Sequence, residues 1–196
     1  MAFIHRTTMK PTKLELLTEW LPKQSWYVGD AKTPELLKAG GFRLDDPEGT
    51  VGIEFMVVVD TSAHEQEREP VAYLVPMGYR GAALDGVPAE ALIGTSEHGV
   101  LGTRWIYDGV HDPVVMAQLR ALLRGEAIAQ HQSESDTPDP NVTVHGTGPD
   151  DGFEVHVHRV LEPAADGRMP YGHLVAGWTW PDGTAGQGVV ATVAPR

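Results

Sequence analysis

Gly52-Ile53-Glu54-Phe55-Met56-Val57-Val58-Val59-Asp60 is the stretch on which the fold turns. β-Branched and aromatic side chains dominate it. Such residues fit a pleated surface and lose rotamer freedom in a helix. The stretch predicts a strand. After the polar segment Thr61–Glu69 comes a second run of the same kind, Val71–Tyr79 (VAYLVPMGY). The two predict an antiparallel hairpin with a long loop. Leu92–Thr95 and Gly99–Tyr107 add two further strands around a turn at Glu97-His98-Gly99.

Helical signals flank these strands. Thr12 and Glu15 have the spacing of a capping box. Leu14, Leu17 and Leu21 follow at helical intervals, widened by Leu16 and Trp20. This predicts a helix over about Pro11–Trp20, ended by Pro22, with Trp20 facing the sheet. Thr33 as N-cap and Pro34 at the first position predict a second short helix, closing at Gly40-Gly41. Asp112-Pro113 opens a third, running to about Gln132, with Val115, Leu119, Leu122 and Leu123 on its buried face. Residues 1–9 are expected to pair as a short strand.

Ser133–Pro140 (SESDTPDP) is polar, acidic and proline-bearing, the composition of a linker. Beyond it the pattern changes to short strands at Val142–His145, Phe153–Leu161, Tyr171–Trp180 and Val189–Val193. The expected fold class is α+β. A first module, residues 1–135, carries helices on an antiparallel sheet. A small β-rich module, residues 141–196, follows it.

Composition narrows the function. The 196 residues are 41% hydrophobic and 21% charged, which suits a folded core. Net charge is -12. Such a surface repels the phosphates of nucleic acids and of anionic membranes. Cysteine is absent, which excludes disulfides and thiolate metal sites. No signal peptide or membrane span is evident, so a cytoplasmic location is expected.

Trp20-Leu21-Pro22-Lys23-Gln24-Ser25-Trp26-Tyr27-Val28-Gly29 resembles the Trp-Leu-Pro-x-Gln-x-Trp-Tyr-x-Gly stretch near the start of actinobacterial maltokinases. Leu101-Gly102-Thr103-Arg104-Trp105-Ile106-Tyr107-Asp108, followed by His111-Asp112-Pro113, is similar to a second stretch of the same proteins. The resemblance covers roughly residues 1–135. It implies the maltokinase N-terminal cap, a cystatin-like curved antiparallel sheet flanked by helices. In that family the cap precedes a β-rich intermediate subdomain resembling a kinase N-lobe, and a helical lobe then carries catalysis.

Val157-His158-Arg159-Val160-Leu161-Glu162-Pro163 resembles the stretch after the nucleotide-binding lysine strand of these kinases. In that register His156 stands where the lysine belongs. A histidine of ordinary pKa is largely neutral at neutral pH, whereas the lysine is a permanent cation. Only 33 residues follow Pro163, with Asp166 and Asp182 as their acids. They hold no His-x-Asp with a downstream Asn and no Asp-Phe-Gly. The expectation is therefore a chain without catalytic residues and without a cofactor.

Several clusters invite a functional reading, each beside a plainer one. Glu154, His156 and His158 alternate with Phe153, Val155 and Val157, so they share one strand face and could begin a metal site. The plainer reading is an amphipathic strand with its polar face in water. Trp178 and Trp180 would share a face near Tyr171 and His173, a surface on which a sugar could stack; such rings serve equally as core. The Trp20, Trp26 and Tyr27 cluster reads as packing between helix and sheet. His145–Gly152 superficially matches a phosphate-binding glycine loop, but Asp150 and Asp151 at its tip oppose phosphate, and a hairpin turn is the simpler reading. Asp45, Asp46 and Glu48 read as a solvent-exposed acidic turn. No serine lies in a Gly-x-Ser-x-Gly context.

The resemblance thus implies a non-catalytic, stand-alone cap-like protein. Its expected role is that of accessory or regulatory partner to a protein of α-glucan or trehalose metabolism. The alternatives are an N-lobe supplied in trans to a split sugar kinase, and a carbohydrate-binding module.

Overall fold

A computed structural model describes residues 8–30, 32–62, 69–146, 152–163 and 171–196. In chain order the first elements are β1 (Met9–Lys10), α1 (Lys13–Trp20), β2 (Leu36–Leu44), β3 (Gly52–Asp60), β4 (Val71–Arg80), β5 (Leu92–His98) and β6 (Gly102–Asp108). Then come α2 (Pro113–Leu123), β7 (Val142–His145), β8 (Phe153–Val157), β9 (Val160–Leu161), β10 (His173–Thr179) and β11 (Ala185–Pro195). The result is a mostly antiparallel sheet with two short α-helices, an α+β fold. The strand order is β1-β5-β6-β4-β3-β2-β10-β11-β8, with β7 joined to β10 and β9 to β4.

The hairpin expected from the sequence is present, with β3 and β4 paired from Gly52↔Tyr79 to Asp60↔Val71. The run GIEFMVVVD is apolar on both faces because both are covered. Ile53, Phe55, Val57 and Val59 pack in one core with Val115, Leu119, Leu122 and Leu123 of α2. Met56 and Val58 point the other way, into a second core with Leu17 and Trp20 of α1 and with Leu21. A strand sandwiched between two layers loses the polar alternation of a one-sided sheet.

The capping box forms as read: the Thr12 side chain accepts from the Glu15 amide, and Glu15 accepts from the Thr12 amide. Trp20 is buried, and its indole N–H donates to the Glu90 carbonyl at 2.9 Å. Asp112 caps α2 as expected, accepting from Val114 and Val115.

Four readings are corrected. Thr33–Gly41 is not a helix; most of it is β2, which pairs along β3 with a bulge between Lys38 and Gly40. Local capping signals lose there to nine residues of strand pairing. α2 ends at Leu123 rather than near Gln132, and Gly125 (φ +74) follows. A left-handed glycine is a common helix stop. Phe153–Leu161 divides into β8 and β9, which leave for different partners, β11 and β4. Asp46 is buried, not exposed. Its oxygens accept from the amides of Glu48, Thr50 and Val51 and from the Thr50 hydroxyl, which organises the turn before β3.

Ser133–Pro140 runs close to the sheet rather than away from it. Gln130, just before it, exchanges backbone bonds with Arg43, His131 donates to Thr137, and Asp139 donates to Ala129. The strands beyond share the α2-side core, to which Leu174, Ala176, Trp178 and Val190 contribute. β2 and β10 meet through the single pair Gly40↔Trp178. Among the described residues no helix is long and apolar enough to cross a membrane.

Candidate functional site

The residues quoted from three separate stretches converge on one cleft. It has a volume of about 780 Å³, and its walls include Trp26, Asp108, His111, His156, His158 and Arg159. Trp26 follows the 3-10 turn Leu21–Lys23 and packs against Trp20 and Tyr73, with ring centroids 5.8 and 6.1 Å away. Asp108 closes β6 and His111 stands just before α2. His156, His158 and Arg159 come from β8 and the step into β9.

Arg159 ties the cleft together. Its guanidinium is ion-paired with the buried carboxylate of Asp108 and lies over the Trp26 ring, 4.9 Å from the centroid. The Arg159 carbonyl also accepts from the Leu74 amide of β4 at 2.9 Å. The indole face and the carboxylate thus hold one cation between them, a strong arrangement where water is excluded.

The histidines line the rim. The His156 and His158 rings meet edge to face, 5.1 Å apart. His156 is exposed, whereas His158 is half-buried with Nε2 3.1 Å from the Thr192 hydroxyl. Burial lowers the His158 pKa, and His156 beside it lowers it further. Glu154 is exposed on the same strand. Among the described residues, no group of three or more His, Cys, Asp or Glu is arranged to hold a metal ion.

Trp178 and Trp180 do not form a shared exposed face. Trp178 is buried in the α2-side core, and Trp180 leans on it edge to face at 5.6 Å. Gly186 makes room for both indoles, since a Cβ there would lie 2.5 Å from Trp178 and 2.7 Å from Trp180. Trp20 and Tyr27 pack with Trp26 and Tyr73 under α1. The tip of the His145–Gly152 segment, residues 147–151 with Asp150 and Asp151, lies outside the described residues, as do residues 1–7 and most of Thr61–Glu69. Asp166 does as well.

The buried acids are the feature that sequence reasoning missed. Six carboxylates are buried among the described residues: Asp46, Glu54, Asp60, Asp108, Asp112 and Asp139. Five are bonded on both oxygens. Glu54 accepts from Lys13 Nζ at 2.8 and 2.9 Å, from the Tyr79 hydroxyl at 2.6 Å and from Gln132 at 3.0 Å. Burial alone would raise its pKa, but the Lys13 ammonium and these donors hold it below the ordinary value. Asp60 accepts from Tyr27, and from the amide and hydroxyl of Ser62. Burial and then Asp60 push the Tyr27 pKa well up. Asp112 takes a two-pronged bond from Arg80, both contacts at 2.7 Å, beside its capping bonds. Asp108 holds the Val110 amide as well as Arg159. Asp46 organises its turn. Alternation along β3 could have flagged Glu54, since it shares a strand face with Met56 and Val58. Its partners are 41, 25 and 78 residues away and leave no local signature.

Residues 20–112 match the family model of the maltokinase N-terminal cap domain. The match starts at Trp20 and takes in both the Trp20–Gly29 and Leu101–Asp112 stretches. His156, His158 and Arg159 lie beyond it. No curated protein matches the chain.

Proposed function

We propose, from the match of residues 20–112 to the maltokinase N-terminal cap domain, that this chain is a non-catalytic accessory or regulatory protein with a maltokinase-related role in α-glucan or trehalose metabolism. In this reading residues 1–135 are a cystatin-like cap. Residues 141–196 are a β-rich module akin to a kinase N-lobe. The protein works in the cytoplasm through a protein partner.

The bonding of the buried acids supports the non-catalytic part. A carboxylate acting as general base or metal ligand needs an oxygen open to its substrate or ion. Of the six buried acids among the described residues, Asp46, Glu54, Asp60, Asp108 and Asp112 have both oxygens bonded within the fold, and Asp139, which lies outside the cleft, has one. In the cleft, Asp108 and Arg159 neutralise each other, and the exposed Glu90, His111 and His156 and the edge of Trp26 remain on offer. An aromatic beside ionisable rim groups suits a protein contact.

Affinity capture from native lysate, quantified against a His111→Glu/His156→Glu bait, tests the reading. Enzymes of α-glucan or trehalose metabolism are expected on the unaltered bait and depleted on the variant. A separate incubation with magnesium, nucleotide and a sugar panel is expected to yield no sugar phosphate. Sustained phosphorylation above a heat-treated control would sink the non-catalytic reading, and capture of no such enzyme would sink the accessory one.

A further inference from the structure

The sixth buried carboxylate breaks the pattern of the other five. Asp139 is only 9% exposed, yet a single oxygen is bonded: Oδ1 accepts from the Asn141 amide at 2.9 Å. Oδ2 has no partner and is not among the fully enclosed polar atoms of the described residues. A carboxylate oxygen left open on a largely buried residue can take a charge-assisted hydrogen bond from a donor brought to it.

Asp139 lines a groove of about 590 Å³ at the seam where β2 and β10 meet through one residue pair. The groove is the size of a small-ligand site. Gly40, Gly41 and Gly177 contribute to it without side chains. A Cβ added at Gly177 would lie 3.5 Å from the Asn141 Cβ and 3.6 Å from the Gly186 carbonyl oxygen, both on residues that line the groove. Around these glycines stand Lys38, Gln132, Asn141, Thr179 and Gln187. Gln132 donates to Glu54 through Nε2, and its carbonyl oxygen remains open. The side chains of Asn141, Thr179 and Gln187 make no hydrogen bond among the described residues.

This lining has a definite chemistry. Amides and a hydroxyl each both donate and accept, and so does a ligand hydroxyl. The carboxylate oxygen accepts only, which requires an O–H or N–H on the ligand. One cation, Lys38, shares the groove with one anion, Asp139, so the site has no net demand for ligand charge. Trp178 borders the groove but is only 4% exposed, so it offers little ring surface for stacking, and glycines and alanines make up much of the remaining lining. We propose that the β2–β10 groove binds an uncharged, hydroxyl-rich ligand, a saccharide unit or a linear polyol, with Asp139 Oδ2 and the Asn141 and Gln187 amides as its hydrogen-bonding partners.

The groove is separate from the Trp26–Arg159 cleft, and the proposal stands or falls independently of any protein partner. Two-dimensional amide NMR of the full chain, titrated with glucose, maltose, cellobiose and sorbitol, tests it. Saturable shifts are expected at Asn141, Gly177 and Gln187 with at least one probe. The sugars against sorbitol distinguish a cyclic from a linear ligand. Asp139→Asn keeps the Oδ1 acceptor and removes the free oxygen, and is expected to weaken binding at least roughly tenfold. Gly177→Val fills the floor and is expected to abolish binding. Gly177 has no positive φ, so the strand tolerates a side chain there. Gln187→Ala at an exposed position serves if the valine variant fails to fold. Absence of saturable shifts at these residues with every probe overturns the proposal, and so does unchanged affinity in a folded Asp139→Asn variant.

Discussion

Arg159 and Asp108 are 51 residues apart in the chain and form a buried ion pair, with the guanidinium also lying over Trp26. The pair joins the end of β6 to the step between β8 and β9, and so links the matched cap residues to the strands beyond. Removing the cation leaves a buried carboxylate uncompensated. Arg159→Ala is expected to cost about 3 to 5 kcal/mol, and Asp108→Asn in the same chain to recover part of that. Urea denaturation of the two single variants and the double variant measures it. A loss under about 1 kcal/mol would mean that water reaches the pair.

Glu54 sets an acid limit on stability. Its folded pKa lies below the ordinary 4.5, so the unfolded chain binds its proton more readily. The stabilisation is present above that ordinary value and is lost as pH falls through the folded pKa. Melting temperature followed from neutral pH to about pH 3 is expected to fall, and Glu54→Gln to flatten part of the decline. Lys13→Met at neutral pH is expected to cost about 2 to 3 kcal/mol. That is less than a fully buried pair would lose, because Lys13 keeps some access to water and Glu54 keeps Tyr79 and Gln132.

Trp20 fills the core under α1 and bonds the Glu90 carbonyl. Trp20→Ala is expected to cost about 3 to 5 kcal/mol. Unchanged thermal melting in that variant would contradict its burial.

Two glycines with positive φ should respond differently to alanine. At Gly41 (φ +121) a Cβ would lie 2.0 Å from the Phe55 carbonyl oxygen, in the β2–β3 ladder. Gly41→Ala is expected to cost about 3 kcal/mol or more. At Gly49 (φ +68) nothing lies within 4 Å, so only the backbone penalty applies, about 1 kcal/mol. Equal losses in chemical denaturation would show that the contact with Phe55 relaxes freely.

Nucleotide binding by the chain alone is expected to be no tighter than roughly millimolar. His156 is exposed where the resembling kinases place a lysine, the His158 pKa is lowered by burial and by His156, and Arg159 is held by Asp108. The net charge of -12 adds repulsion toward a triphosphate. Calorimetry with Mg-ATP measures this. Saturable micromolar binding abolished by His156→Ala would revive the split-kinase alternative.

The sequence was most legible where the physics is local. The Thr12–Glu15 box, the Asp112 cap and the β3–β4 hairpin could all be read from neighbouring residues. Thr33–Gly41 carried good local signals for a helix and became β2, because its pairing with β3 and the bulge at Lys38–Gly40 are set by residues well beyond the segment. Asp46 was hidden by its setting: a proline-bearing acidic turn reads as exposed, and only the three amides aimed at its carboxylate make burial tolerable. The motif residues of the cleft were legible as a resemblance. Their mutual bonding was not, since Asp108 and Arg159 are joined by tertiary structure alone. Nothing local marks Asp139 as the one buried acid with an open oxygen among the described residues.

β11 occupies an interior position, with β10 on one side and β8 on the other. During synthesis β8 therefore leaves the ribosome before the strand it must pair with exists. His156 waits on Thr192, its register partner, and His158 on the Thr192 hydroxyl. The histidine rim of the cleft consequently takes its final form only once the strand Ala185–Pro195 has been made.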